Sequence, residues 1–318
     1  MKKILVTAIG SFSADVVIRN LTSAGYRIVG CDIYEKEWIA NSLDVDRFYQ
    51  SPYATYQEKY IEFIKDVCAK EEIEYIVPLT DVEVDVLNKN RSRLEGITIC
   101  ISDEQTIRVC RDKYNLYNYL KEAGIRCLIP TILLSEADAE SIEVPGVIKP
   151  RDGRSSQGLH YFERKEKLIQ FMNENKTVDY VFQPKIDGSI VTVDVIRNEE
   201  FIMATPRLEL LRTLNGAGIS VKIFKDEKLI KMVRKIADIL NIYGCVNFEF
   251  IKTTDGDYRF LECNPRFSGG VAFSCLAGYD YIVNHIRCFT GERVDEDAVI
   301  QEKVVARKYV EKITNEKR

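Results

Sequence analysis

The 318-residue chain is 46% hydrophobic and 30% charged with a net charge of −4, an ordinary globular composition long enough for two or three subdomains. That balance offers no electrostatic footprint for nucleic acid, and no apolar run approaches the roughly 18 residues of a membrane span. Nine scattered cysteines without a C-x-x-C spacing predict reduced, mostly buried thiols and a cytoplasmic protein.

The N-terminal run meets Gly10, Ser11 and Ser13 too early for a signal peptide, so residues 3–9 read as a first strand. A turn at 10–13, a helix at 14–24 (Val16, Val17, Leu21 and Ala24 inward) and a strand at 26–31 ending at Asp32 follow. This order resembles a dinucleotide fold, but Gly10 stands alone where the fingerprint needs three glycines. A Rossmann-like shell without a bound dinucleotide is the expectation. Strand 74–78 opens onto Thr80, Asp81 and Glu83. With Gly10 and Ser11 these lie where open α/β sheets bind substrate, although capping of the next helix would also explain them.

A boundary falls near residue 100, after a strand at 97–101. Helices are predicted at 103–110 and 112–123, the second closed by Gly124. Strand 146–150 runs into a Gly/Ser-rich segment, 151–158, and strand 159–162 returns. Backbone N–H groups of such a loop (Gly153, Ser155, Ser156, Gly158) can fold over phosphates, with Lys149 adding a charge; a plain hairpin is the alternative. Helix 164–175 and strands 178–184 and 189–197 follow. Residues 201–222 read as strand interrupted by a basic turn region around Arg207, Arg212 and Gly216, and 226–241 as an amphipathic helix.

The densest signal is the stretch Asn247–Arg266. Two alternating runs flank Asp255-Gly256, a strong hairpin signature. As a two-residue loop it sets Glu249 opposite Glu262 and Asn247 opposite Asn264 on one face, with Phe248, Phe250, Leu261 and Cys263 on the core face; a three-residue bulged turn would shift that register. Opposed carboxylates repel unless a cation sits between them, and Mg²⁺ suits carboxylate and amide oxygens plus phosphates. Solvated glutamates are the plain alternative, but Asn264-Pro265-Arg266 adds an amide and a guanidinium in line. A turn at Ser268-Gly269-Gly270, a helix near 271–277 and a frayed charged tail, 311–318, complete the chain.

Lys113, Lys149 with its loop, a strand-ended linker at 183–186, and Glu249…Glu262-x-Asn264-Pro265-Arg266 occur in this order. Together they resemble the ATP-grasp superfamily, nearest the group of the carbamoyl-phosphate synthase large subunit and the pyrrolysine-biosynthesis ligase. The resemblance implies a Rossmann-like pre-ATP-grasp domain (1–101), a small lobe (102–182), a large lobe (183–310) and the tail, an α/β and α+β architecture gripping ATP. It implies that Lys113 and Lys149 bind α- and β-phosphates under a lid at 153–158, and that Gln183, Pro184, Lys185 and Ile186 hold adenine. Glu249, Glu262 and Asn264 would hold Mg (or Mn), and Arg266 would neutralise the transferring phosphoryl group.

Two departures stand out. Gln183 replaces the usual Glu, and Ile190 replaces the ribose-binding Glu, leaving Asp194 on the same strand as a substitute. Arg207 and Arg212 are either a clamp for the substrate carboxylate or solvated surface residues. The implied activity is ligation of a small carboxylic acid to an amine or ammonia through an acyl phosphate, by a homodimer. A silent nucleotide-binding protein and an NAD-dependent oxidoreductase are the alternatives.

Overall fold

A computed structural model describes residues 2–154, 157–214 and 216–315; Ser155 and Ser156, named above, lie outside the described residues. The first sheet is built from β1 (Lys3–Val6), α1 (Ala14–Ser23), β2 (Arg27–Asp32), β3 (Arg47–Gln50), α2 (Gln57–Glu71), β4 (Tyr75–Val77), α3 (Asp81–Lys89) and β5 (Thr98–Ile99). Its strands lie in the order β3-β2-β1-β4-β5, all parallel. Alternation along the strands buries both faces. Ile4, Val6 and Ile28 meet Val17 and Leu21 of α1, and Leu5, Val29 and Cys31 meet Tyr60, Ile61 and Ile64 of α2. Ala24 is exposed at the end of α1, and Ile18 takes the inward position instead.

Asp103 caps α4 (Glu104–Cys110) and Asp112 caps α5 (Lys113–Glu122), each accepting backbone N–H groups. Gly124, at φ +78°, closes the second. A four-stranded sheet then contains β6 (Ile132–Leu133), β7 (Gly146–Pro150), β8 (His160–Phe162) and, after α6 (Lys165–Glu174), β9 (Tyr180–Pro184), in the order β6-β9-β7-β8.

The third sheet holds β10 (Gly188–Arg197), β11 (Ile202–Arg212), β12 (Gly218–Ile223), β13 (Gly244–Thr253), β14 (Tyr258–Asn264) and β15 (Lys303–Ala306), with α7 (Glu227–Ile239), α8 (Val271–Leu276) and α9 (Tyr281–Thr290). The order is β14-β13-β10-β11-β12-β15. Leu229, Val233, Ile236 and Ala237 of α7 bury one face against Val191, Val193, Phe248 and Phe250. On the other side, Ile282 and Ile286 of α9 share a core with α1, joining this sheet to the first. The described tail is pinned rather than frayed: Lys312 pairs with Asp44 at 2.5 Å, and the Asn315 amide donates to Glu37 at 2.6 Å.

The hairpin departs from the two-residue turn, and the departure cancels itself. Thr253 N–H donates to Asp257 O (2.8 Å) and Gly256, at φ +88°, donates to Thr253 O (3.0 Å), which closes a three-residue loop. Lys252 therefore faces Tyr258 and Phe250 faces Phe260, one residue off the simple register. A bulge at Leu261 then restores it, so that Glu249 faces Glu262 and Asn247 faces Asn264. The bulge sits where the outer edge of β14 is taken up by the segment between α5 and β6, Phe260 N–H donating to Cys127 O at 2.7 Å. Leu261, expected in the core, instead lines a cleft, and Phe260 is buried in its place.

Candidate active site

A cleft of about 1010 Å³ runs between the three sheets. Its floor is the polar face of β13 and β14, its roof the end of β7 with the loop after it, and its far wall the carboxyl edge of the first sheet.

Asn247, Glu249, Glu262 and Asn264 all line the floor. Burial and the charge of Glu262 push the Glu249 carboxyl well up. Burial acts the same way on Glu262, but Lys113 and Lys149 outweigh it and hold that carboxyl below the usual range. The Asn264 amide nitrogen donates to Glu262 Oε1 at 3.1 Å. The carbonyl oxygen of Asn247, a residue 2% exposed, has no hydrogen-bond partner among the described residues. An orphaned acceptor, two facing carboxylates and a second amide fit a hard divalent cation. Among the described residues no group of three or more His, Cys, Asp or Glu could hold a metal, so amide oxygens must complete any shell here.

Lys149 ends β7, is 7% exposed, and its ammonium makes no hydrogen bond to a described residue. Burial pulls its pKa down to about 8. Lys113, at the start of α5, donates to Gly153 O at 2.8 Å and tethers the loop after β7. That helix start is fixed by Asp112, which also pairs with Arg151 at 2.5 Å. Gly153 lines the cleft, and Gly158 takes φ +69°. Two ammonium groups thus face the floor carboxylates.

The linker Gln183–Ile186 lines the cleft between the second and third sheets. The Gln183 amide donates to Thr131 Oγ1 at 2.7 Å, whose hydroxyl in turn donates to Ile129 O at 2.9 Å. That chain orients the amide and leaves the Gln183 carbonyl oxygen as the free acceptor. Ile190 and Thr192 line the cleft beyond it.

Asp194 does not serve this wall. It is fully buried, its carboxylate paired with Arg207 and accepting from Ser274 Oγ at 2.7 Å. β10 carries it beneath α8, and it is not part of the cleft lining. Arg207 is neither a turn residue nor a solvated one. It lies mid-strand, 1% exposed, with its terminal nitrogens taken by Asp194, Ser274 and Ser268. It braces the Ser268-Gly269-Gly270 turn from behind instead of presenting a free fork to a substrate. Arg212 does reach the floor, donating to Gly216 O at 2.7 Å and lying 3.4 Å from Glu249 Oε1.

Arg266 turns toward the first sheet, where its guanidinium donates to Asp81 Oδ2 at 2.8 Å. Asp81 also lies 3.6 Å from Arg111, which holds Asp85 with two hydrogen bonds of 2.8 and 3.1 Å. Burial opposes ionisation of Asp81, yet Arg266 and Arg111 hold its carboxyl below the usual range. Residues 80–83 do stand at the start of α3, with Asp81 and Glu83 in its first turn, but their side chains are engaged with other partners. Thr80, the N-cap of α3, makes no side-chain capping bond, and its hydroxyl donates to Glu83 at 2.7 Å. Glu83 also accepts from Tyr60 at 3.1 Å and is pushed up by burial. At Gly10, the backbone N–H donates to Asp32 Oδ2 at 2.8 Å, and a Cβ would strike Ile39 at 2.9 Å. Ser11 lines the cleft beside it.

The sequence reading missed Arg111, Thr131 and the Asn247 oxygen. An isolated Arg or Thr carries no local pattern, but Asn247 on the Glu249 face was a usable signal. Neither histidine lines the cleft. His285 is buried with its pKa down to about 4, accepting the Cys245 N–H at 2.8 Å, and His160 is exposed. All nine cysteines are free, seven of them buried. Among the described residues no helix is long and apolar enough to cross a membrane.

Residues 4–101 match the family described as PylC-like, N-terminal domain, and residues 176–313 match ATP-grasp in the biosynthetic pathway with Ter operon. The carbamoyl phosphate synthase arginine-specific large chain of Bacillus subtilis is 24% identical over 238 residues, 70% of this chain and 22% of that one. The chain thus spans about a fifth of the length of that curated relative. Biotin carboxylase from Campylobacter jejuni, solved with βγ-ATP, superposes with a TM-score of 0.79 at 18% identity, covering 94% of this chain and 73% of that one. The biotin carboxylase domain of Hydrogenobacter thermophilus 2-oxoglutarate carboxylase, solved with MgADP and bicarbonate, gives 0.76 at 21% identity, over 92% and 70%.

Proposed function

Because the chain belongs to the ATP-grasp family, of the carbamoyl phosphate synthase and PylC-like type, we propose that it is an ATP- and Mg-dependent ligase joining a small carboxylic acid to an amine or ammonia. The observation that carries this is the facing of Glu249 and Glu262 beneath Lys113 and Lys149 in one cleft. Carboxylates and ammonium groups in that arrangement suit a metal-bound polyphosphate and little else.

In this reading Glu249, Glu262 and Asn264, with the Asn247 oxygen, would hold Mg²⁺ or Mn²⁺, which would supply charge neutralisation for the phosphates. Lys149 and Lys113 bind phosphate oxygens, and the loop carrying Gly153 and Gly158 covers them. Gln183 accepts from the adenine amino group through its free carbonyl, while Lys185 and Ile186 read the ring edge and pack on its face. Arg266, held by Asp81, stabilises charge on the phosphoryl group as it passes to the substrate carboxylate. The resulting acyl phosphate is then open to attack by an amine, with Thr80, Gly10 and Ser11 lining the substrate end. A homodimer is part of the proposal, the biotin carboxylase domain of the Hydrogenobacter thermophilus enzyme having been solved as a dimer.

The test is ¹⁸O in the acid substrate. Label in released phosphate, with ADP as the second product, is the expected result; AMP as main product would overturn the mechanism. A silent ATP-binding protein remains the second reading, favoured by Ile190 and by the enclosure of Asp194, which leave no carboxylate for the ribose on β10.

A further inference from the structure

One end of the cleft lies beyond the residues assigned above to the nucleotide and metal. It is bounded by the loops after β1, β2 and β3, which bring Phe12, Asp32, Tyr34 and Tyr53 to one wall. Three of these are large aromatic side chains left open, Phe12 at 47%, Tyr34 at 49% and Tyr53 at 54% exposure. They are not loose. The Arg307 guanidinium covers the Phe12 ring at 5.0 Å, and Tyr34 lies 6.2 Å from Trp38.

Asp32 sits among them, 5% exposed. Its two oxygens accept the backbone N–H groups of Gly10 (2.8 Å) and Tyr34 (3.2 Å), which fixes the carboxylate in place. Among the described residues no lysine or arginine pairs with it. A buried carboxylate with hydrogen bonds but no counter-charge, opening on a cavity with aromatic walls, is complementary to a cation. Glu83 is spent on Tyr60 and Thr80 and does not compete. Elsewhere the cleft lining carries Lys113, Lys149, Arg212 and Arg266. Those cations have the carboxylates Glu249, Glu262 and Asp81 facing them, whereas Asp32 has no such partner.

We propose that the Asp32, Tyr34 and Tyr53 wall receives the ammonium group of a zwitterionic amino-acid substrate, whose carboxylate then points toward Arg266. The proposal rests on the ligase reading for the second half of that statement, and on the wall alone for the first. Asp32 and the two tyrosines select an amino acid over the same acid without its amino group. Phe12, against Gly269 of the turn beside Arg266, covers the body of the substrate.

Trp38 is the chain's one tryptophan, and its contact with Tyr34 makes its fluorescence a reporter of this wall. The full-length protein with ATP and Mg²⁺ is titrated with each proteinogenic L-amino acid and, for any that saturates, with its des-amino analogue. The expected result is saturation by an amino acid and binding at least about tenfold weaker for the analogue. Asp32→Asn should erase that difference, and Tyr34→Leu and Tyr53→Leu, at exposed positions, should weaken the amino acid selectively. Saturation by no amino acid overturns the proposal. So does equal affinity for both forms, or an equal loss of both in Asp32→Asn with the tyrosine variants unchanged, which would make Asp32 a loop brace only. Binding of an amino acid with no ADP formed in the presence of amines would instead count against the ligase reading and leave the wall's specificity standing.

Discussion

Glu249 and Glu262 face each other at one register position, yet their surroundings push their carboxyl groups in opposite directions. Glu262 has two ammonium groups, Lys113 and Lys149, as counter-charges, whereas Glu249 has chiefly Arg212, at 3.4 Å, and bears the repulsion of its partner. The two are expected to behave differently once changed.

Glu249→Gln should stabilise the metal-free protein at neutral pH, raising Tm by about 1–3 °C, because it removes a carboxylate that the fold disfavours. Glu262→Gln should lower Tm, since two buried ammonium groups lose their counter-charge. Both should reduce Mg-dependent ATP turnover by roughly 100-fold or more. Thermal melts with and without Mg²⁺ decide it, and equal shifts for the two variants would refute the asymmetry.

Metal affinity should follow the Glu249 proton. Its carboxyl is raised in the free site and must ionise to bind a cation, so Mg²⁺ affinity should climb as pH rises through the raised value, with proton release. Calorimetry in buffers of different ionisation enthalpy measures this. The proton release should vanish in Glu249→Gln.

Lys149 gives the opposite sign. With its pKa near 8 in the free protein, it is partly neutral at mildly alkaline pH, and phosphate favours the ammonium form. ATP binding should therefore take up a proton near pH 8, and affinity should fall above that pH, by at most about tenfold per unit. Lys149→Ala should weaken ATP by roughly 10- to 150-fold, as a charge-assisted contact of about 1.5–3 kcal/mol, while leaving adenosine binding unchanged. Equal loss for both ligands would make Lys149 structural.

Arg266→Lys keeps charge but loses the planar fork that Asp81 holds. Turnover should fall by about 100-fold with ATP affinity little changed. Asp81→Asn should produce a milder version of the same kinetic split. A change confined to KM for ATP would remove Arg266 from the transfer step.

The Arg207–Asp194 pair should matter to stability and not to nucleotide. Asp194→Ala leaves a buried guanidinium unpaired and should cost about 3–5 kcal/mol, with the Asp194→Leu/Arg207→Met double variant recovering much of it. ATP affinity measured on the folded fraction should not move; selective loss of ATP over adenine would restore a ribose role for Asp194.

The residues that were legible in the sequence are those whose role follows from local period or local chemistry. Glu249, Glu262 and Asn264 declared themselves through strand alternation beside Asp255-Gly256, and Lys149 through its place before a Gly/Ser loop. Arg207 and Asp194 misled because the same alternation that puts Asp194 on the Glu249 face says nothing of α8, which closes over that part of the strand. Burial by a later element leaves no trace in the strand itself. Arg111 and Thr131 act only through partners far along the chain, Asp85 and Gln183, and no window of sequence contains both members. Helices α2 and α9 were missed although α9 supplies Ile282 and Ile286 to the core shared with α1.

The bulge at Leu261 has a mechanical meaning for the hairpin. The strand slips by one residue there, so the turn and the metal end are not rigidly geared to each other. If the turn tightens to the two-residue loop Asp255-Gly256, with Thr254 facing Asp257, the strand can run straight through Leu261, returning that side chain to the core and leaving Glu249 against Glu262. A change of turn at the tip of this hairpin is thus taken up at a slip point partway along it, and the pair of carboxylates at its base stays in step.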